Sequence, residues 1–107
     1  MTEAEDKTAK AGIYIVRIKL DSGEYAVKLG YSSDVTDRFA NSELQPIFMY
    51  RNDDKELLAN FVETTRRKLK GYELVPFYYS FDMLRVIGIE LYNALGVVMP
   101  EALYSRL

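Results

Sequence analysis

At 107 residues the chain is long enough for one domain with a single core and too short for two. Apolar residues make up 49% and charged residues 28%, the balance of a globular protein, and a net charge of −2 argues against coating nucleic acid through overall charge. Cys and His are both absent, which excludes disulfides, thiolate zinc sites and imidazole ligands; a metal would have to sit on carboxylates, which suits Mg²⁺ better than Zn²⁺.

Residues 1–10 are small, polar and charged with nothing to bury, so they read as a disordered tail ahead of a single domain over 11–107. The tail has no apolar run of the kind a secretory signal needs, and an intracellular location, in the cytoplasm or the nucleus of a host, is expected. Ala11–Leu20 and Glu24–Gly30 read as a β-hairpin around Asp21-Ser22-Gly23. Gly in the third loop position favours a three-residue loop, with Leu20 opposite Glu24, Val16 opposite Lys28 and Tyr14 opposite Gly30. That register makes Tyr14 and Lys28 diagonal neighbours on one face; a slip of one residue would separate them.

Ser33 or Asp34 can cap a helix to about Leu44, and Pro46 opens a third strand through Ile47–Arg51. Asn52-Asp53-Asp54 caps a longer helix to about Lys70, whose apolar face is Leu58, Phe61, Val62, Thr65 and Leu69, with Gly71 as its end signal. Tyr72–Tyr79 is extended and aromatic, limited by Pro76 to an edge or irregular strand. Ser80 can cap a helix to Leu95, stopped by Gly96, and Pro100 starts a short final helix with Leu103, Tyr104 and Leu107 as its apolar side. The apolar stretch 81–99 is broken by Asp82, Arg85, Glu90 and Asn93, so no membrane span is expected. Its density leaves room for a homodimer contact through the C-terminal helices. The order predicts an α+β domain: a small antiparallel three-stranded sheet flanked by helices, with extra C-terminal helices.

Gly12-Ile13-Tyr14, the hairpin, Lys28-Leu29-Gly30, and Arg38 eight residues after that glycine resemble the core of the GIY-YIG nuclease superfamily. The run Val27–Ser33 followed by Arg38-Phe39 is most similar to a branch of phages and large DNA viruses, in which lysine stands for the second motif tyrosine. The resemblance covers 12–39 well and is looser to about residue 79. It implies a Mg²⁺- or Mn²⁺-dependent endonuclease acting on DNA. Tyr14 would serve in general-base chemistry, Arg38 would stabilise the phosphate, and Glu63 would hold the metal, with Glu56 as its competitor. Lys28 is placed to supply the cation that favours a phenolate, since a free tyrosine, with a pKa near ~10, is a poor base at neutral pH. Tyr31, next to Gly30, is expected to add a hydroxyl. Family members often carry a further histidine or asparagine near the phosphate, and no histidine exists here.

Each residue also has a plainer reading. Tyr14 could be a packed strand tyrosine, Lys28 a solvated strand residue, Arg38 a surface helix residue, and Glu63 a surface partner of Arg67 at i+4. Arg66, Arg67, Lys68 and Lys70 form either a DNA-backbone patch or a cation-rich helix end complementing the dipole. Phe77-Tyr78-Tyr79-Phe81 could stack on unpaired bases or pack a core. A catalytically inactive module of the same fold, binding nucleic acid or a protein, is the alternative function.

Overall fold

A computed structural model describes residues 5–105. The hairpin consists of β1 (Gly12–Lys19) and β2 (Tyr25–Ser32), paired antiparallel with Tyr14 opposite Gly30 and Val16 opposite Lys28, the expected register. Its loop closes as the Gly signal requires. The Leu20 N–H donates to the Glu24 carbonyl at 2.8 Å, the Gly23 N–H donates to the Leu20 carbonyl at 2.9 Å, and Gly23 has φ of 90°.

Asp34 caps α1 (Val35–Phe39), its carboxylate accepting the Asp37 N–H at 3.0 Å. The helix is shorter than the expected run to Leu44. Beyond Phe39, Ser42 Oγ both accepts the Leu44 N–H and donates to the Leu44 carbonyl, while the Gln45 amide donates to the Phe39 and Ser42 carbonyls. Those local bonds satisfy the backbone outside a helix and end it.

β3 (Phe48–Arg51) then pairs antiparallel with β1 on the side away from β2. Asp54 caps α2 (Lys55–Leu69) by accepting the Leu57 N–H at 3.1 Å, and all five expected apolar-face residues are buried. Gly71 does not act as a left-handed stop; the last turn tightens into a 3₁₀ turn over Lys70–Tyr72.

The expected three-stranded sheet has five strands, in the order β3-β1-β2-β5-β4, with β4 (Glu73–Val75) and β5 (Tyr78–Ser80) forming a second hairpin. Pro76, read as a limit on one irregular strand, instead takes the first corner of a turn between two. Phe77 occupies the second corner with φ of 70°, a conformation glycine normally provides, so the usual turn signal is missing from the sequence. Ser80 therefore ends β5, and α3 (Met83–Leu95) starts after Asp82. Gly96 stops α3 as expected, with φ of 67° and its N–H on the Tyr92 carbonyl at 2.9 Å. The segment after Pro100 is a 3₁₀ turn over Glu101–Tyr104, and Leu107 lies outside the described residues.

Residues 1–4 of the expected tail also lie outside the described residues, but 5–10 are held on the sheet rather than disordered. Asp6 N–H donates to the Arg51 carbonyl at 2.9 Å, Lys10 carbonyl accepts the Val35 N–H, and Ala9 is buried. The Thr8 hydroxyl and N–H both donate to the Asp6 carboxylate, which holds its pKa below the usual carboxylate value.

The two faces of the sheet do different work. Ile13, Ile15, Val27, Leu29, Tyr50 and Tyr79 join the buried sides of α2 and α3 in the main core. Tyr14, Val16 and Val35 form a smaller cluster on the other face, with Phe39, Met49 and Tyr78 packed against it. α1 spans only five residues, too few to roof a five-stranded sheet. Among the described residues no helix is long and apolar enough to cross a membrane. Ile89, Tyr92 and Val98 are exposed along α3 and the loop after it.

Candidate functional site

The site begins with two glycines whose missing side chains let other groups approach. A Cβ on Gly12 would stand 2.9 Å from the Tyr50 carbonyl oxygen and 3.1 Å from Val35 Cγ1, so glycine lets β3 and α1 close on β1 together. A Cβ on Gly30 would overlap Cζ, Oη and Cε1 of Tyr14. The hydroxyl end of Tyr14 therefore lies across the Gly30 backbone, in a slot that no other residue type would leave open. Tyr14 is buried, with its ring met edge-on by Phe39 at 4.9 Å between centroids.

Arg38 comes from α1 and reaches the same ring, its Cζ 5.9 Å from the Tyr14 centroid. Its neighbour Val35 is fully buried against the sheet and Phe39 packs on the Tyr14 cluster, so one helical turn fixes where Arg38 emerges. Lys28 rises from β2 on the same face as Tyr14 by strand alternation, with Nζ 5.9 Å from the Tyr78 centroid. Tyr78 in turn packs on the Tyr14 cluster. Lys28, Tyr14 and Arg38 thus share one face. Among the described residues the ion pairs are Arg67–Glu63, Lys68–Glu90 and Arg85–Glu101, so neither Lys28 nor Arg38 is neutralised by a carboxylate. Arg38 lies beside the Tyr14 ring and Lys28 beside the Tyr78 ring on that face, and cations without an acid partner are chemically suited to a phosphate group.

Other expected members are elsewhere. Tyr31 pairs with Ile13 and packs against the main core, on the opposite face from Tyr14. Alternation requires this: the residue after Gly30 must point away from the Gly30 side. Glu63 lies on α2, whose buried face packs on that same opposite side. Its side chain is 69% exposed and its Oε1 accepts from Arg67 at 2.8 Å, the plainer of its two readings. Glu56 is exposed in the first turn of the same helix. No group of three or more Asp, Glu, His or Cys gathers among the described residues. Neither glutamate stands with Tyr14, Lys28 and Arg38, so this arrangement does not fit a metal held by Glu63 at that site.

The basic run at the end of α2 is largely engaged. Arg67 pairs with Glu63, Lys68 pairs with Glu90 at 2.8 Å, and Arg66 Nε donates to the Leu29 carbonyl at 3.0 Å while its guanidinium covers the Phe77 ring at 5.4 Å. Lys70 is exposed. Of the aromatic string, Tyr79 and Phe81 are core, Tyr78 faces the site and Phe77 is exposed. Tyr78 was expected only as a member of the aromatic string, to stack on bases or to pack, and not beside Lys28. Its place beside Lys28 depends on β5 pairing with β2, and no sequence signal marks that pairing. Comparison of the chain with protein-family models, with curated proteins and with solved structures finds no match.

Proposed function

We propose that this chain is an endonuclease domain of the GIY-YIG type acting on DNA. One observation carries the reading: the Tyr14 hydroxyl end lies over Gly30 while Arg38 and Lys28, neither paired with an acid, open onto the same face. The helix between β2 and β3 delivers the arginine, which fits the motif spacing in the sequence.

The chemistry follows from the residue types. Arg38 offers a planar fork of donors to two phosphate oxygens, and Lys28 adds a compact charge to the same group. Tyr14, having given up its own proton to solvent, orients a water as the phenolate and takes one of its protons while the water oxygen bonds to phosphorus and the leaving oxygen departs as an alkoxide that solvent protonates, a role worth roughly 10²–10⁴ in rate. The charge that grows on the phosphate oxygens is met by guanidinium and ammonium groups already in place. Mg²⁺ or Mn²⁺ follows from the resemblance alone, because Glu63 is turned to solvent with Arg67 and does not stand with Tyr14, Lys28 and Arg38 to hold it.

That ion pair favours a second reading, a catalytically inactive module of the same architecture that binds nucleic acid or a protein. Nicking of supercoiled plasmid in Mg²⁺ or Mn²⁺ separates the two. The endonuclease reading expects nicking by the wild type and a loss of about 100-fold or more in Tyr14→Phe and Arg38→Ala. Plasmid that is bound but left intact in either metal selects the inactive module.

A further inference from the structure

Among the described residues Phe77 alone, apart from glycines, has a left-handed backbone, with φ of 70°. A bulky side chain is an outlier there, at a turn corner that suits glycine or asparagine. The corner is held by its own hairpin, since the Phe77 N–H donates to Glu73 Oε2 at 2.9 Å. The result is a ring held outside both apolar clusters and 53% exposed.

The surroundings of that ring tie it to the phosphate face. Arg66 covers one side of the ring and is fixed by its bond to the Leu29 carbonyl. Leu29 lies on the stretch of β2 that runs past the end of β5, between Lys28 and Gly30. On the other face of that same edge stands the Lys28–Tyr78 pair, and Tyr78 follows Phe77 in the chain. Arg38 and Lys28 on the Tyr14 face and Arg66 on the α2 face thus mark a line across the stretch of β2 that β5 leaves unpaired, and it ends at an exposed aromatic ring.

A DNA strand whose backbone follows cations and whose base meets an aromatic face would fit this line. A paired base inside a duplex has both faces covered by its neighbours, whereas an unpaired base can offer a face to Phe77. We infer that Phe77, backed by Arg66, is a stacking platform for an unpaired base next to the phosphate seat. The preferred DNA then carries an overhang, flap or bulge. This rests on reading the Tyr14 face as a DNA-backbone site.

Fluorescence anisotropy with a fluorescein-labelled duplex, blunt or extended by an unpaired overhang, tests the platform in EDTA so that cleavage does not interfere. Phe77→Gly is the variant of choice, because glycine suits the corner and preserves the hairpin. The wild type is expected to bind the overhang DNA more tightly, Phe77→Gly to lose about ten-fold on the overhang and nothing on the blunt duplex, and Arg38→Ala to weaken both. If Phe77→Gly binds both DNAs like the wild type, or weakens both equally, while Arg38→Ala weakens both, the platform alone is overturned. If Arg38→Ala changes neither, or the wild type binds neither, the phosphate seat itself fails.

Discussion

Alanine at Gly30 sets the added methyl against the Tyr14 ring, and the size and sign of the effect follow from the packing. The three atoms nearest a Cβ at this position are all Tyr14 atoms, Cζ, Oη and Cε1. The ring cannot simply lift away, because Phe39 meets it edge-on and Val16 and Val35 are buried beside it. Overpacking of this kind costs about 1–3 kcal/mol. In a Tyr14→Leu background those atoms are gone, since a leucine side chain ends well short of them. There the ordinary preference of a strand interior for alanine over glycine, about 0.5–1 kcal/mol, should emerge. Gly30→Ala is therefore destabilising with Tyr14 present and mildly stabilising without it, a coupling of about 1.5–4 kcal/mol. Urea unfolding of the four variants, followed by circular dichroism, measures it. An equal cost in both backgrounds would refute the placement of Tyr14 over Gly30.

Further outcomes are expected elsewhere in the molecule. Glu63→Gln should change stability by no more than about 0.5 kcal/mol in thermal unfolding, as for an exposed i,i+4 pair, while a loss of plasmid nicking in that variant would assign Glu63 to the metal after all. Gly96→Ala, forced into the left-handed cap of α3, should cost about 1 kcal/mol, read as a lower urea midpoint. Burial raises the hydroxyl pKa of Tyr79, with Glu73 adding to it, and burial raises that of Tyr104. Such groups contribute their full stability below the unfolded tyrosine value, near ~10, and lose it as pH rises through the folded value. Unfolding free energy should therefore fall above about pH 10, and Tyr79→Phe should flatten the fall; an unchanged slope would contradict this.

The hairpin was legible because its loop glycine admits one register, and that register alone sets Tyr14 and Lys28 on a common face. The apolar face of α2 was legible from its spacing, since five residues at helical intervals have one way to be buried together. The second hairpin was hidden because Phe77 sits where a glycine would have announced the turn. With it went the count of strands and the place of Tyr78. Tyr31 was readable from the same register, since alternation turns the residue after Gly30 to the other face, whereas for Glu63 a position on a helix does not say which side of the sheet its side chain reaches. The end of α1 turned on Ser42 and Gln45 bonding to nearby backbone, a competition that apolar periodicity does not register.

On the proposed reading, the face built by Tyr14, Lys28 and Arg38 receives the DNA backbone. Titrating ¹⁵N-labelled protein with a short DNA duplex and following amide and side-chain shifts tests it most directly. The largest changes are expected at Gly12, Lys28, Gly30 and Arg38, with the exposed α3 residues Ile89 and Tyr92 unmoved. Shifts gathered instead on α3, or at Lys70 beyond α2, with the Gly30 amide unchanged, would contradict it.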